Sequence, residues 1–175
     1  MAYNSSGNSF QRTTPIVLNL IIINVLVFLC QLLFDGDTDR ITEKLVLFPF
    51  SSPEFKPYQL VSNIFAHGGF MHIVFNMFTL YTFGVWLERV WGPKRFLIFY
   101  LACGLAASVA QGMLVNAPSL GASGAIMGLF AAFAYLFPNT ELMMLFFPMP
   151  VKAKYMVFIM AGIELFGGIH PRPRR

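Results

Sequence analysis

HGGFMHIVFNMFTLYTFG, residues 67–84, reads as a membrane-length apolar helix with two polar side chains set into it. His72 and Asn76 are four positions apart, so on a helix they stand one turn apart on one face. Polar groups inside a span are costly, and they face a bundle interior or a water-filled cavity. His67 stands just before the helix. One reading of the pair is a shared chemical site. The other is an interhelical hydrogen-bonding pair, which membrane bundles also use.

A second apolar stretch, SLGASGAIMGLFAAFAYLF at 119–137, opens with a serine between small residues, Gly121-Ala122-Ser123-Gly124. Gly124 and Gly128 are spaced for close helix packing, and a serine beside them is ordinary in that role. The nucleophile elbow of α/β hydrolases, Gly-x-Ser-x-Gly, is not matched, because glycine follows the serine directly. Ser123 is therefore either a packing residue or a nucleophile, and its partners decide which.

The rest of the chain supplies the setting. Of 175 residues, 57% are hydrophobic and 11% charged, with a mean hydropathy of +0.65. Soluble domains carry about 25% charged residues, so lipid is the solvent this composition fits. Five apolar runs of near-spanning length follow one another, at roughly 15–34, 70–87, 96–115, 121–137 and 153–169. The first is too long for a cleaved leader and lacks a small-x-small cleavage site, so it is read as a retained span. The expected fold is an all-α, polytopic membrane helix bundle: a polar N-terminus at 1–14, a transmembrane domain at 15–169 with a partly structured connector at about 35–66, and a basic tail at 170–175.

Lys and Arg placement predicts the orientation. Arg89, Lys94 and Arg95 follow the second run, and Lys152 and Lys154 follow the fourth, while the loop VNAPS after the third has no basic residue. By the positive-inside bias, the N-terminus and both basic loops face the cytoplasm and the connector lies outside, despite its Arg40, Lys44 and Lys56. Five spans would then leave the arginines of HPRPRR outside. A sixth span is expected in the intact fold, with this chain ending before it. The net charge of +4 forms no basic stripe, so no nucleic-acid partner is expected. Cys30 and Cys103 lie in apolar runs without metal-ligand spacing, and no ligand set for a metal or organic cofactor is present.

His-x4-His-x3-Asn on one apolar helix, followed two helices later by Gly-x-Ser-Gly opening another, closely resembles the rhomboid family of intramembrane serine proteases. The resemblance runs from FKPYQLVSNIFAHGG to GIELFGG; a Trp-Arg pair usual in the family's connector is replaced here by Tyr58-Gln59. It implies a rhomboid-like bundle, here with five of six expected transmembrane helices, and a water-accessible cavity opening outward. It implies further that Ser123 attacks the scissile carbonyl of single-span membrane substrates near the outer leaflet, with His72 and Asn76 holding the oxyanion. Gly121, Gly124, Gly128 and His67 support that site. The family's base is a histidine on the sixth helix in an Ala-His-x-x-Gly setting. No such motif occurs here. His170, the only later histidine, precedes Pro171, which disfavours helix at His170. No base is assigned, and the chain alone is expected to be inactive. The stripe of Gly124, Gly128 and Ala131 or Ala132 packs on that sixth helix in the family, so without it the stripe is expected to face lipid, solvent or another subunit. Glu164 is read as a solvated carboxylate near the outer end of the fifth run. The bacterial inner membrane is the expected location. Two other readings stand beside this one: a non-catalytic rhomboid-like protein that binds membrane helices, and a small transporter or channel subunit.

Overall fold

The computed structural model describes residues 14–35, 40–143, 150–159 and 162. The chain divides into two compact units, Met1–Leu129 and Phe130–Arg175.

Among the described residues, three helices, all in the first unit, are long and apolar enough to cross a membrane: α1 (Pro15–Phe34), α4 (Phe70–Trp91) and α5 (Pro93–Leu114). Proline opens both α1 and α5, where its missing N–H costs nothing and its fixed φ suits the first turn. Only Gly92 separates α4 from α5. Its φ of +81° lies where side chains with a Cβ are strained, so the chain reverses there without a longer loop. At Gly84 the three helices converge: a Cβ there would stand 3.0 Å from Val17 Cγ2 of α1 and 3.2 Å from Phe96 Cζ of α5. A small residue at this crossing lets the backbones approach closely, the packing device of membrane bundles.

Glu88, buried near the end of α4, points its carboxylate at the start of α1, accepting the N–H of Ile16 at 3.0 Å and of Val17 at 2.9 Å. These are two of the amides a helix leaves unpaired at its N-terminus, where negative charge is also favoured. Hydrogen bonds to a charged group are worth about 1.5–3 kcal/mol each, so this contact ties α1 to α4.

Over residues 40–66 the connector is structured, as its recurring aromatic residues predict. It contains α2 (Arg40–Leu45), α3 (Gln59–Ser62) and a 3-10 turn at Asn63–Phe65. Gln59, at the place of the family's Trp-Arg pair, is buried and knits the segment together: its Oε1 accepts the N–H of Lys56 at 3.0 Å and its Nε2 donates to the Glu54 carbonyl at 3.2 Å. The connector is also stitched to α5 and the loop after it. Leu47 and Ser119 exchange two backbone bonds of 2.9 Å, and the Phe50 N–H donates to the Gly112 carbonyl at 2.9 Å, with the Phe50 ring seated where a Gly112 side chain would be.

The fourth apolar run forms α6, Ser123–Leu136, a helix of 14 residues. Gly124 and Gly128 correct the expectation for the small-residue stripe. A Cβ on Gly124 would collide with Ala107 Cβ and one on Gly128 with Cys103 Sγ, so this part of the stripe is covered by α5. Cys103 and Ala107 are one turn apart and both small, which makes α5 a close-packing partner in its own right.

The second unit departs from a purely helical expectation by a short antiparallel pair, β1 (Glu141–Met143) with β2 (Pro150–Lys152), in the register Glu141↔Lys152 and Met143↔Pro150. Phe133 and Phe137 pack at 5.1 Å between ring centroids. Residues 153–159 are helical, and the remainder of the fifth apolar run, with Glu164 and His170, lies outside the described residues apart from residue 162.

Candidate active site

The site is assembled from the start of α4, the start of α6 and the connector. α4 begins at Phe70, so His72 lies in its first turn and Asn76 one turn further, on one face as their spacing predicts. α6 begins at Ser123 itself, and Gly121 stands in the turn just before it. These two helix starts meet. A Cβ built on Gly121 would lie 2.7 Å from His72 Cε1, 2.8 Å from His72 Nε2 and 3.7 Å from Asn76 Nδ2. The ring and the amide therefore converge on one point, two residues ahead of the serine. Gly121 also has a φ of +124°, so both its backbone conformation and its surroundings exclude a larger residue.

Asn76 is buried, and its Nδ2 has no hydrogen-bond partner among the described residues. A buried amide donor left unpaired costs about 1–3 kcal/mol, a cost a protein tolerates where the donor has another use. His72 Nδ1 accepts a long bond of 3.5 Å from the Gly68 N–H. With Nδ1 as acceptor, the ring proton of neutral His72 is assigned to Nε2, the nitrogen beside Gly121. The first turn of α6 adds backbone amides without intrahelical partners and the positive end of its dipole.

His67 lies outside the donor pair. Its ring is buried against His72, edge to face, with centroids 5.2 Å apart, and its Nδ1 faces the Phe65 carbonyl at 3.3 Å. Its backbone is clamped on both sides by Gln31 of α1: the His67 N–H donates to Gln31 Oε1 at 3.0 Å, and Gln31 Nε2 donates to the His67 carbonyl at 3.2 Å. Gln31 Nε2 also reaches Thr42 Oγ1 at 2.6 Å, and that hydroxyl donates to Asp35 Oδ2 at 2.5 Å. A polar chain thus runs from the end of α1 through the connector to the entrance of α4. His67 is held by this geometry at the entrance of α4, beside His72.

Burial lowers the pKa of His67 from 6.5 to about 4, helped by the neighbouring His72 and opposed by the Phe65 carbonyl. The folded protein therefore holds His67 neutral where the unfolded chain protonates it. The stability this contributes is complete above pH 6.5 and is lost as the pH falls towards about 4. The stability of the purified protein is expected to fall by on the order of 3 kcal/mol as the pH drops across that window. His67→Phe should flatten this slope in a pH series of denaturant titrations; an unchanged slope contradicts the assignment.

Among the described residues no group of three or more His, Cys, Asp or Glu side chains is placed to hold a metal ion. The sequence alone pointed to Ser123, His72, Asn76 and Gly121, and it missed Asn63, whose carbonyl accepts the Gly121 N–H at 2.9 Å. That bond joins residues far apart in sequence and follows no helical or strand spacing, so no local pattern could signal it.

A bundle of membrane-length helices, with two convergent donors on one helix and a serine opening another, defines the class to which this site belongs. Residues 54–173 match the Rhomboid domain. The chain is a member of the rhomboid family. It is 35% identical over 132 residues to Rhomboid protease GluP of Bacillus subtilis (strain 168), covering 73% of this chain and 26% of that protein. It is 36% identical over 83 residues to Putative rhomboid protease YdcA of the same bacterium, covering 45% of this chain and 41% of the relative. RHOMBOID-like protein 12, mitochondrial, of Arabidopsis thaliana is 31% identical over 169 residues, 86% of this chain and 49% of that protein. The chain thus spans from about a quarter to about a half of the length of these relatives. They include bacterial and mitochondrial proteins, and the chain, like them, is a rhomboid-type integral membrane protein.

Proposed function

We propose that this protein is an intramembrane serine endopeptidase that cleaves single-span membrane proteins near the outer leaflet, with Ser123 as nucleophile. The observation that carries the reading is the buried Asn76 amide, unpartnered and converging with His72 Nε2 beside Gly121, two residues before the serine. Nothing in helix packing requires that convergence. An acyl-transfer reaction does.

In this mechanism Ser123 Oγ attacks the scissile carbonyl, and the C–O bond forms as the carbonyl becomes a tetrahedral oxyanion. His72 Nε2–H and Asn76 Nδ2–H donate to that oxygen, aided by backbone amides at the start of α6. Donors fixed in a water-poor site need no reorganisation as charge develops, and each is worth about 10²–10³ in rate. The intermediate collapses as the C–N bond breaks and the leaving amine takes up the proton that the serine gave to a base; water then gives its proton to the same base, attacks the acyl carbon and releases Ser123. A serine needs an acceptor for its proton. His72 is engaged as an oxyanion donor and His67 is turned to the Phe65 carbonyl, so the base that takes this proton and returns it to the leaving amine is neither of them, and residues 1–175 alone are proposed to be inactive. The protease domain is taken to run over 15–169, with the N-terminus in the cytoplasm as the basic loops indicate. The bacterial inner membrane is the proposed location.

The test is the protein at its natural full length, beside residues 1–175 alone, each reconstituted in lipid vesicles with a single-span reporter. One cut near the outer end of the reporter's span is expected of the full-length protein, and none of residues 1–175 alone. Stable capture of an intact reporter by folded protein would replace the protease reading with that of a binding protein.

A further inference from the structure

The serine loop is anchored from the connector, and the anchor is itself locked. Gly121 donates its N–H to the Asn63 carbonyl at 2.9 Å. Asn63 is only 5% exposed, and its side-chain Nδ2 donates to Ser108 Oγ on α5 at 2.9 Å and to the Gln59 carbonyl. Ser108, 3% exposed, donates its own hydroxyl hydrogen bond to the Gly104 carbonyl at 2.9 Å. The next residue, Ile64, is pressed into the notch at Gly104, where a Cβ would lie 2.7 Å from Ile64 Cδ1. The 3-10 turn is thus pinned to α5 by a hydrogen bond and a steric key on adjacent residues.

Two consequences follow for the site. The Gly121 amide is engaged with Asn63 and so is not one of the oxyanion donors. The approach of Gly121 to His72 Nε2 and Asn76 Nδ2 is also set by where the Asn63 carbonyl stands. Buried polar groups that are fully paired fix one arrangement, because any shift leaves a donor or acceptor unpaired. We propose that Asn63, locked by Ser108, is a positioning residue that sets the distance between the Ser123 loop and the His72/Asn76 donors. It acts through Gly121 and does not touch substrate. This proposal rests on the protease reading of the site.

A displacement of the reacting group by about 1 Å can cost about 10²-fold in rate. In the protein at its natural full length, Asn63→Ala and Ser108→Ala are each expected to lower kcat about 10- to 100-fold with KM unchanged. The double variant should be no worse than either single one, and Ser108→Thr, which keeps the hydroxyl, should recover most of the rate. An activity-independent readout accompanies this: amide hydrogen exchange of peptides covering 119–125, measured on the intact protein in nanodiscs. Exchange there is expected to rise at least about tenfold in both alanine variants, while the amides of α1 keep their protection. Wild-type exchange at 119–125 in Ser108→Ala and Asn63→Ala overturns the proposal, and so does raised exchange with an unchanged kcat. If the wild-type protein captures the reporter without cutting it, the protease reading fails, and the positioning role in catalysis fails with it. The exchange data then show separately whether Asn63 anchors the loop. If Asn63→Ala does not fold, the Ser108→Ala and Ser108→Thr pair decides.

Discussion

Ser123→Ala is expected to give a folded protein that no longer cleaves its reporter, a loss on the order of 10⁴-fold or more. The size follows from the chemistry: without the hydroxyl no acyl-enzyme forms, and the donors at His72 and Asn76 have no intermediate to hold. Stability should hardly change. Close packing in the first turns of α6 is supplied by Gly124 against Ala107 and Gly128 against Cys103, and not by the half-buried serine. Alanine is also the better helix former. Matched denaturation curves with absent cleavage are therefore the expected pair of results. Cleavage at a comparable rate by the alanine variant would show that the cut is made elsewhere.

Gly121→Ala is the second large effect, and it requires only one methyl group. That Cβ would stand 2.7 Å from His72 Cε1 and 2.8 Å from Nε2, closer than real contacts allow, at a backbone φ of +124° that L side chains rarely adopt. Either the imidazole moves away from the serine or the loop retreats from both donors. The loss in kcat should approach that of deleting an oxyanion donor, about 10²–10³-fold. The strained backbone adds about 1–2 kcal/mol of destabilisation. Steady-state kinetics at several reporter concentrations, beside a denaturant titration, separates the two effects. A wild-type kcat would mean that the convergence at Gly121 is not part of catalysis.

The sequence was informative where the chemistry is local. The four-residue spacing of His72 and Asn76 placed them on one helical face, and Gly-x-Ser-Gly marked the start of a helix; α4 and α6 show both. It was silent where partners are distant. Asn63 and Ser108 are 45 residues apart, and each alone is an unremarkable polar residue in a connector and in a span. The partner of the Gly124–Gly128 stripe was misjudged for a related reason. Small residues announce a close neighbour without saying which one, and Cys103 and Ala107 on α5 met the requirement. The connector's order was legible from its aromatic residues, but its register against α5 was not, because it depends on backbone bonds such as Leu47 with Ser119 that any side chains permit. The β1–β2 pair escaped notice because three-residue strands carry too few positions for an alternating pattern.

The most direct test of the account is to treat the folded protein with a fluorophosphonate and map the adduct by mass spectrometry. The account predicts one adduct, formed when Ser123 Oγ displaces fluoride from phosphorus, and a rate of labelling about 10²-fold lower in Asn76→Ala. A folded protein that cleaves its reporter yet remains unmodified at Ser123, or that carries the adduct on another residue, would contradict it.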